Sequence, residues 1–270
     1  MPTIEANLQM WNSHYHWKDG GEEWSSAWGG SEAEWWGTIL PRIHAFIPTV
    51  TILEIAPGYG RWTQYLIKLC DNLLVVDLSQ RCIEACRERF KHKSGITCFV
   101  NDGTSLDMIA DQSIDFVFSL DSLVHADSTV IEAYLSHIAK KLKPNGVGFI
   151  HHSNLGAHLT YLSLIEQMPT DLREFLLKKN IIEDHGIHWR DASVSAELFE
   201  KHCKKVDLQC ISQELINWGG RILTNDCFSI FTRRGSDWDR PNIVLENKKF
   251  MEEVELIKRI APLYFSTESS

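Results

Sequence analysis

Histidine and aspartate cluster at three places between residues 121 and 191 of this 270-residue chain. SLDSLVHAD carries Asp121, His125 and Asp127, FIHHSN carries His151 and His152, and EDHGIHWRD carries His185, His188, Arg190 and Asp191. Imidazole exchanges protons near neutral pH, so each cluster could take one from a hydroxyl nucleophile. The candidate catalytic residues are therefore His125, His152, His151, His188 and His185, with Asp121 beside them. Any one of them could equally serve as a structural hydrogen-bonder, and twelve histidines in the chain guarantee some coincidence. Asp121, Asp127 and Asp191 also offer hard oxygen ligands, which would permit a divalent cation across vicinal hydroxyls.

A second chemistry lies earlier. ILEIAPGYGRWTQYL begins as an apolar run and turns through Pro57, Gly58 and Gly60 into a helical pattern. Glycines in such a turn let the backbone approach a ligand closely at the carboxyl end of a strand. A dinucleotide fingerprint would continue G-x-G-x-x-G to seat a pyrophosphate, but Thr63 stands in the third position and Arg61-Trp62 crowds the turn. Asp77 closes the next apolar run, LLVVD, and can accept both hydroxyls of a ribose; Asp102 closes the one after, ITCFVND. Carboxylates at these places suit a nucleoside with no phosphate beside it. The plainer alternatives are a ligand-free tight turn for Gly58 and Gly60 and a helix N-cap for Asp77.

These residues need a scaffold that brings strand ends together. From Thr51 the sequence alternates short apolar runs with amphipathic stretches: TILEIA, LLVVD, ITCFVND, IDFVFSLD and GVGFIHHS read as strands. Helices are expected from about Arg61 to Cys70, from Gln80 to Lys91 and near Val130 to Leu142, with a Lys-Pro-Asn-Gly turn at 143–146. Runs such as LLVVD and FVFSL are apolar on both faces, as in a parallel sheet covered on each side. Two later strands, VDLQCISQELI and DCFSIFTRR, flank NWGGRILTN as a hairpin. The expectation is an α/β fold with a doubly wound, seven-stranded, mostly parallel sheet ending in an antiparallel hairpin. Residues 1–40 form an aromatic-rich N-terminal lid, 41–235 the main domain with an acceptor-binding insert at about 153–203, and 236–270 a helical tail carrying Val254, Ile257 and Ile260.

With these motifs in order, the chain resembles the class I S-adenosylmethionine-dependent methyltransferases, over about residues 45–152. The matching pieces are Glu54-Ile-Ala-Pro-Gly58-Tyr-Gly60, LLVVD, Asp102-Gly103, IDFVFSLDSL and LKPNGVGFI. The resemblance implies that Glu54 organises the glycine loop near the methionine ammonium, with Ala56, Gly58, Tyr59 and Gly60 admitting the methionyl part. Asp77 would hold the ribose, with Leu78 against the adenine and Ser79 next to it. Asp102 would accept the adenine amino group beside Gly103 and Thr104, and Ser119 and Leu120 would line the sulfonium. Trp28 would close over the cofactor from the N-terminal segment.

Six of the ten tryptophans fall in the first 36 residues, too much apolar surface for a disordered tail. Trp24, Trp28 and Trp36 would either cover cofactor and acceptor or pack on the sheet's helices. The histidine-rich rim favours a hydroxyl acceptor on a small molecule or saccharide, and WSSAWGG and HWRDASVS resemble pieces of saccharide-pathway methyltransferases. N- or C-methylation of a natural product, or a silent nucleotide-binding homologue, is the alternative.

A net charge of -9 and no basic stripe argue against nucleic acid. Seven scattered cysteines without a CxxC pair indicate neither a disulfide framework nor zinc. The absence of a basic-then-apolar start or a long apolar run points away from membranes to a cytoplasmic setting, and the tail offers a surface for a homodimer.

Overall fold

The computed structural model describes residues 3–183 and 189–264. Its strands form one sheet: β1 Thr49–Ile55, β2 Cys70–Asp77, β3 Ile96–Val100, β4 Ile114–Ser119, β5 Leu142–Ser153, β6 Leu208–Ile216, β7 Asp226–Arg233 and β8 Ile243–Asn247. The spatial order is β3-β2-β1-β4-β5-β7-β6-β8. β1 to β5 are parallel, β7 is antiparallel to β5 and β6, and β8 runs parallel to β6. This is a Rossmann-like α/β fold with the expected late antiparallel pair, but with eight strands rather than seven. The extra strand lies in the segment read as a helical tail: Ile243-Val244-Leu245 is a short apolar run, opening on two β-branched residues, that pairs along the free edge of β6.

The main helices are α1 Ile4–Gln9, α2 Gln80–Arg89, α3 Ser128–Lys141, α4 Leu159–Glu166, α5 Thr170–Lys178, α6 Ala196–Lys205 and α7 Phe250–Tyr264. Side-chain oxygens start four of them: Thr3 accepts from the Ala6 amide, Ser79 from that of Cys82, Asp127 from those of Thr129 and Val130, and Ser195 from that of Leu198. The helix expected from Arg61 shrinks to the turn Thr63–Leu66, because β2 begins at Cys70 and leaves no length for more. The turn expected at 143–146 becomes an irregular bulge within β5, where the pairing jumps from Ile114↔Leu142 to Phe116↔Val147.

Strand alternation splits the core between two faces. Ile52, Phe116, Phe118 and Phe149 pack with Trp28, Trp35, Ile43 and α7 residues Phe250, Val254, Ile257 and Ala261. Leu53, Val117 and Ile150 pack with Ile131, Leu135 and Ile138 of α3 and Phe199 and Cys203 of α6. The N-terminal segment is thus part of the core, with Trp28 and Trp35 each 2% exposed. On α7, Ala261 rather than Ile260 completes the buried stripe.

The order reverses between β1 and β4, so their carboxyl ends diverge into a crevice where ligands collect in open α/β sheets. The glycine turn follows β1, and the Asp121 to Asp127 loop follows β4.

Candidate active site

A cavity of about 1000 Å³, counting its open mouth, occupies that crevice. Ala56, Gly58, Tyr59, Asp77, Leu78, Gly103, Leu120, Asp121, His125 and Asp127 line it, as expected from the sequence. From the N-terminal segment come Ile4, Asn7, Trp11, Trp17 and Trp24, and from the turn Arg61.

The turn is held in left-handed conformations, with φ of 56° at Ala56, 58° at Gly58 and 85° at Gly60. A Cβ on Gly58 would lie 2.7 Å from the Trp17 ring, which stacks on Tyr59 at 4.4 Å and 11°. The glycine therefore admits the N-terminal segment onto the loop as well as bending it. A Cβ on Gly60 would meet Phe90 at 2.6 Å, so this glycine serves packing on α2 and does not line the cavity.

Asp77 stands at the end of β2 with its Oδ1 accepting the Ser79 amide at 2.7 Å and Oδ2 the Gly58 amide at 3.3 Å. Burial pushes its carboxyl up to about 6, and those amides limit the rise. A carboxylate has further lone pairs for a diol after these two contacts.

Several expected cofactor contacts lie behind the wall. Glu54 is buried under the turn; its Oε2 accepts the Thr63 hydroxyl at 2.6 Å, and desolvation raises its carboxyl to about 8. Ser79 caps α2 instead of facing the cavity. The Ser119 hydroxyl is fully buried and donates to Ile55 O at 3.0 Å, tying β4 to β1. Asp102 turns into its own loop, where Oδ1 accepts from the Ser105 amide, the Thr104 amide and the Thr104 hydroxyl at 2.7, 2.9 and 3.0 Å. Those bonds hold its pKa down to about 2, and neither it nor Thr104 lines the cavity. Trp28 is buried on the sheet, donating to the Thr38 hydroxyl at 2.8 Å, and Trp36 is 52% exposed. Trp11, Trp17 and Trp24 take the covering place instead.

The catalytic candidates separate by strand alternation. His152 points to the α6 face, stacked on Phe199 at 4.3 Å and bonded to Ser229 Oγ and Ser153 O, both at 2.8 Å. Burial lowers it to about 4, and it is remote from the cavity lining. His151 points to the opposite face and stands behind Asp121. Its Nδ1 accepts the Asp121 amide at 3.2 Å and its Nε2 faces Asp226 Oδ2 at 3.1 Å, so both nitrogens are engaged. Asp226 is held down to about 2: burial opposes its charge, but Arg190 at 2.6 and 2.7 Å and the His151 ring outweigh it. His185 and His188 lie outside the described residues.

His125 remains. It lines the cavity at 7% exposure, and its ring lies 5.4 Å from that of Trp11. Nδ1 is bonded to the Trp189 carbonyl, while Nε2 is buried with no hydrogen-bond partner among the described residues. Since a carbonyl only accepts, Nδ1 carries the proton and Nε2 the free lone pair. Burial lowers its pKa, which keeps the ring neutral; the Trp189 carbonyl works the other way.

Arg61 is the residue whose role the sequence hid. Its guanidinium is 2.6 Å from Asp121 Oδ2, 3.0 Å from Ser25 Oγ and 3.7 Å from Glu34 Oε2. Burial opposes its charge, but Asp121 and Glu34 hold its pKa above the ordinary value. Asp121 itself adopts φ 63°, a strained setting that presents it to the cavity.

The three aspartates nominated for a metal do not converge. Asp127 caps α3 and Asp191 binds the Ser193 amide and hydroxyl through Oδ1, while Asp121 is paired with Arg61. Among the described residues no three His, Cys, Asp or Glu side chains form a metal-holding group. No helix among them is long and apolar enough to cross a membrane.

Comparison with known proteins agrees with this geometry. Residues 52–146 match the family model described as methyltransferase domain. Phosphoethanolamine N-methyltransferase 1 of Triticum aestivum is 32% identical over 139 residues, 50% of this chain and 28% of that protein. The chain spans about a third or less of the length of the curated wheat relatives it matches. An S-adenosylmethionine-dependent methyltransferase from Clostridium acetobutylicum ATCC 824 superposes with a TM-score of 0.52 at 16% identity, covering 78% of this chain and 92% of that one. The DhpI-SAH complex superposes with a TM-score of 0.53 at 17% identity, covering 86% and 97%. Residues 52–146 thus match the methyltransferase-domain family model, in a chain whose Rossmann-like methyltransferase fold is similar to that of these solved structures.

Proposed function

We propose that the chain moves a methyl group from S-adenosylmethionine to a hydroxyl of a small polar acceptor of saccharide type, with His125 as general base. The observation that carries this is the His125 ring: buried at the cavity wall, Nδ1 on a carbonyl, Nε2 without a partner among the described residues. When bound, the cofactor supplies an electrophilic methyl on sulfur. The residues present fit it: Asp77 for a ribose diol, Leu78 and Gly103 for a flat base, and the Arg61 and Asp121 charges for a zwitterionic amino-acid end.

The chain's own contribution is alignment, exclusion of water and proton removal. Trp11 and Trp24 wall the acceptor side, and the buried Trp24 Nε1, with no hydrogen-bond partner among the described residues, offers a donor to an acceptor oxygen. His125 Nε2 takes the hydroxyl proton, and the Trp189 carbonyl stabilises the resulting imidazolium through Nδ1–H. Replacing His125 by Ala should lower kcat by ~10² or more with S-adenosylhomocysteine affinity kept. Full turnover in that variant, measured with sugar and polyol acceptors, would refute the base.

N-methylation is the second reading. The Trp11, Trp17 and Trp24 rings beside Asp121 would also suit a cationic amine, and the wheat relative is named for an amine. An amine acceptor would leave His125→Ala active.

A further inference from the structure

The cavity is polarised. One end holds Arg61 and Asp121; the other is made of Ile4, Leu78, Gly103, Val130 and Tyr134, which suits the faces of a purine. A purine carrying an exocyclic amino group must find an acceptor there. Asp102 is not at the wall, and its Oδ1 is engaged three times within its own turn. Asn101 is also committed: Oδ1 accepts the Gly103 amide, and Nδ2 donates to Ser105 O and Tyr134 Oη.

Asn7 differs. Its Nδ2 donates to the His125 carbonyl at 2.9 Å, which fixes the orientation of the amide. Its Oδ1 is then left buried, with no partner among the described residues, in a side chain that lines the cavity. Ile4, one turn earlier on the same face of α1, touches the glycine loop after β3: a Cβ on Gly103 would lie 3.1 Å from Ile4 Cγ2 and 3.3 Å from Leu78 Cδ1. The helix therefore carries Asn7 past the purine end of the cavity. A buried acceptor without a donor is unfavourable, so this position selects a ligand that donates.

We infer that Asn7 Oδ1 accepts the exocyclic amino group of adenine, making α1 rather than Asp102 the element that reads the base. The inference rests on the cavity being a site for an adenosyl sulfonium. Its test is calorimetry on the full chain with S-adenosylhomocysteine and S-inosylhomocysteine, in which a 6-oxo acceptor replaces the 6-amino donor. The wild type should prefer the adenosyl compound by ~10- to 100-fold, because the oxo group faces an acceptor. Asn7→Ala should bring the two affinities close to parity. Asn7→Asp, which keeps an acceptor there, should restore the preference, and Asp102→Asn should leave it unchanged. Equal wild-type affinities, or a preference lost in Asp102→Asn or in Asp127→Asn but kept in Asn7→Ala, would overturn the inference. Failure of the wild type to bind either compound would instead overturn the reading of the cavity.

Discussion

In the proposed reaction His125 would carry the chemistry because of what its two nitrogens meet. With Nδ1–H on the Trp189 carbonyl, only Nε2 can accept a proton, and it accepts only while the ring is neutral. Burial lowers its pKa, so the acid limb of kcat should lie below the ordinary histidine range, near 6.5, with turnover flat at neutral pH. A pH profile from 4.5 to 8.5 checks this, and an acid limb above the ordinary value would contradict it. The clusters around His125, His151 and His152 were legible as chemistry. Their division of labour was not, because alternation along β5 places neighbouring histidines on opposite faces without saying which face holds the cavity. Arg61 was hidden for a related reason: its partners Asp121 and Glu34 are distant in sequence and meet only across the crevice.

At the level of elements, the segment 189–191 ties the proposed base to β7 and to the loop after β4. Arg190 grips Asp226 at the start of β7 through two bonds, and the Asp191 amide donates to Val124 O at 3.1 Å, so the Trp189 carbonyl is fixed over His125. Arg190→Ala should therefore lower kcat by about tenfold while S-adenosylhomocysteine affinity is kept, because support of an imidazole from behind is worth factors of this order. Equal kcat would show that the carbonyl holds its place unaided.

The N-terminal segment divides in two. Trp28 and Trp35 belong to the core, so deleting residues 1–36 would remove part of the fold; deleting 1–21 removes Ile4, Asn7, Trp11 and Trp17 from the cavity and leaves that core. The shorter deletion should keep its circular dichroism spectrum and lose turnover, and full activity would sink the covering role. The tryptophan density marked the segment as docked. Which rings face the cavity depended on tertiary packing that no local pattern encodes. β8 escaped notice because its short apolar run, exposed at the sheet edge, precedes a helix with stronger periodicity.

Across the whole molecule, the parallel half of the sheet was readable because its strands carry short apolar runs, such as Leu73–Val76 closed by Asp77 and Phe116–Phe118 closed by Ser119. That same architecture buries carboxyl groups, with a consequence for stability. Glu54 keeps its proton to about pH 8 when folded, against 4.5 as its ordinary value. Between these values the folded state binds more protons than the unfolded chain, so this group makes stability fall as pH rises through that window. Melting curves from pH 5 to 9 should show a shallower decline for Glu54→Gln than for the wild type. Identical slopes would mean that Glu54 is ionised in the fold.

The central claim, that the crevice at the ends of β1, β2 and β4 holds an adenosyl sulfonium anchored by Asp77, is tested most directly by calorimetry with S-adenosylhomocysteine and NAD on the wild type and on Asp77→Ala. The account predicts one S-adenosylhomocysteine per chain, an affinity ~10-fold or more weaker in Asp77→Ala, and no comparable binding of NAD. Tighter binding of NAD, or an Asp77→Ala variant that binds S-adenosylhomocysteine as well as the wild type, would contradict it.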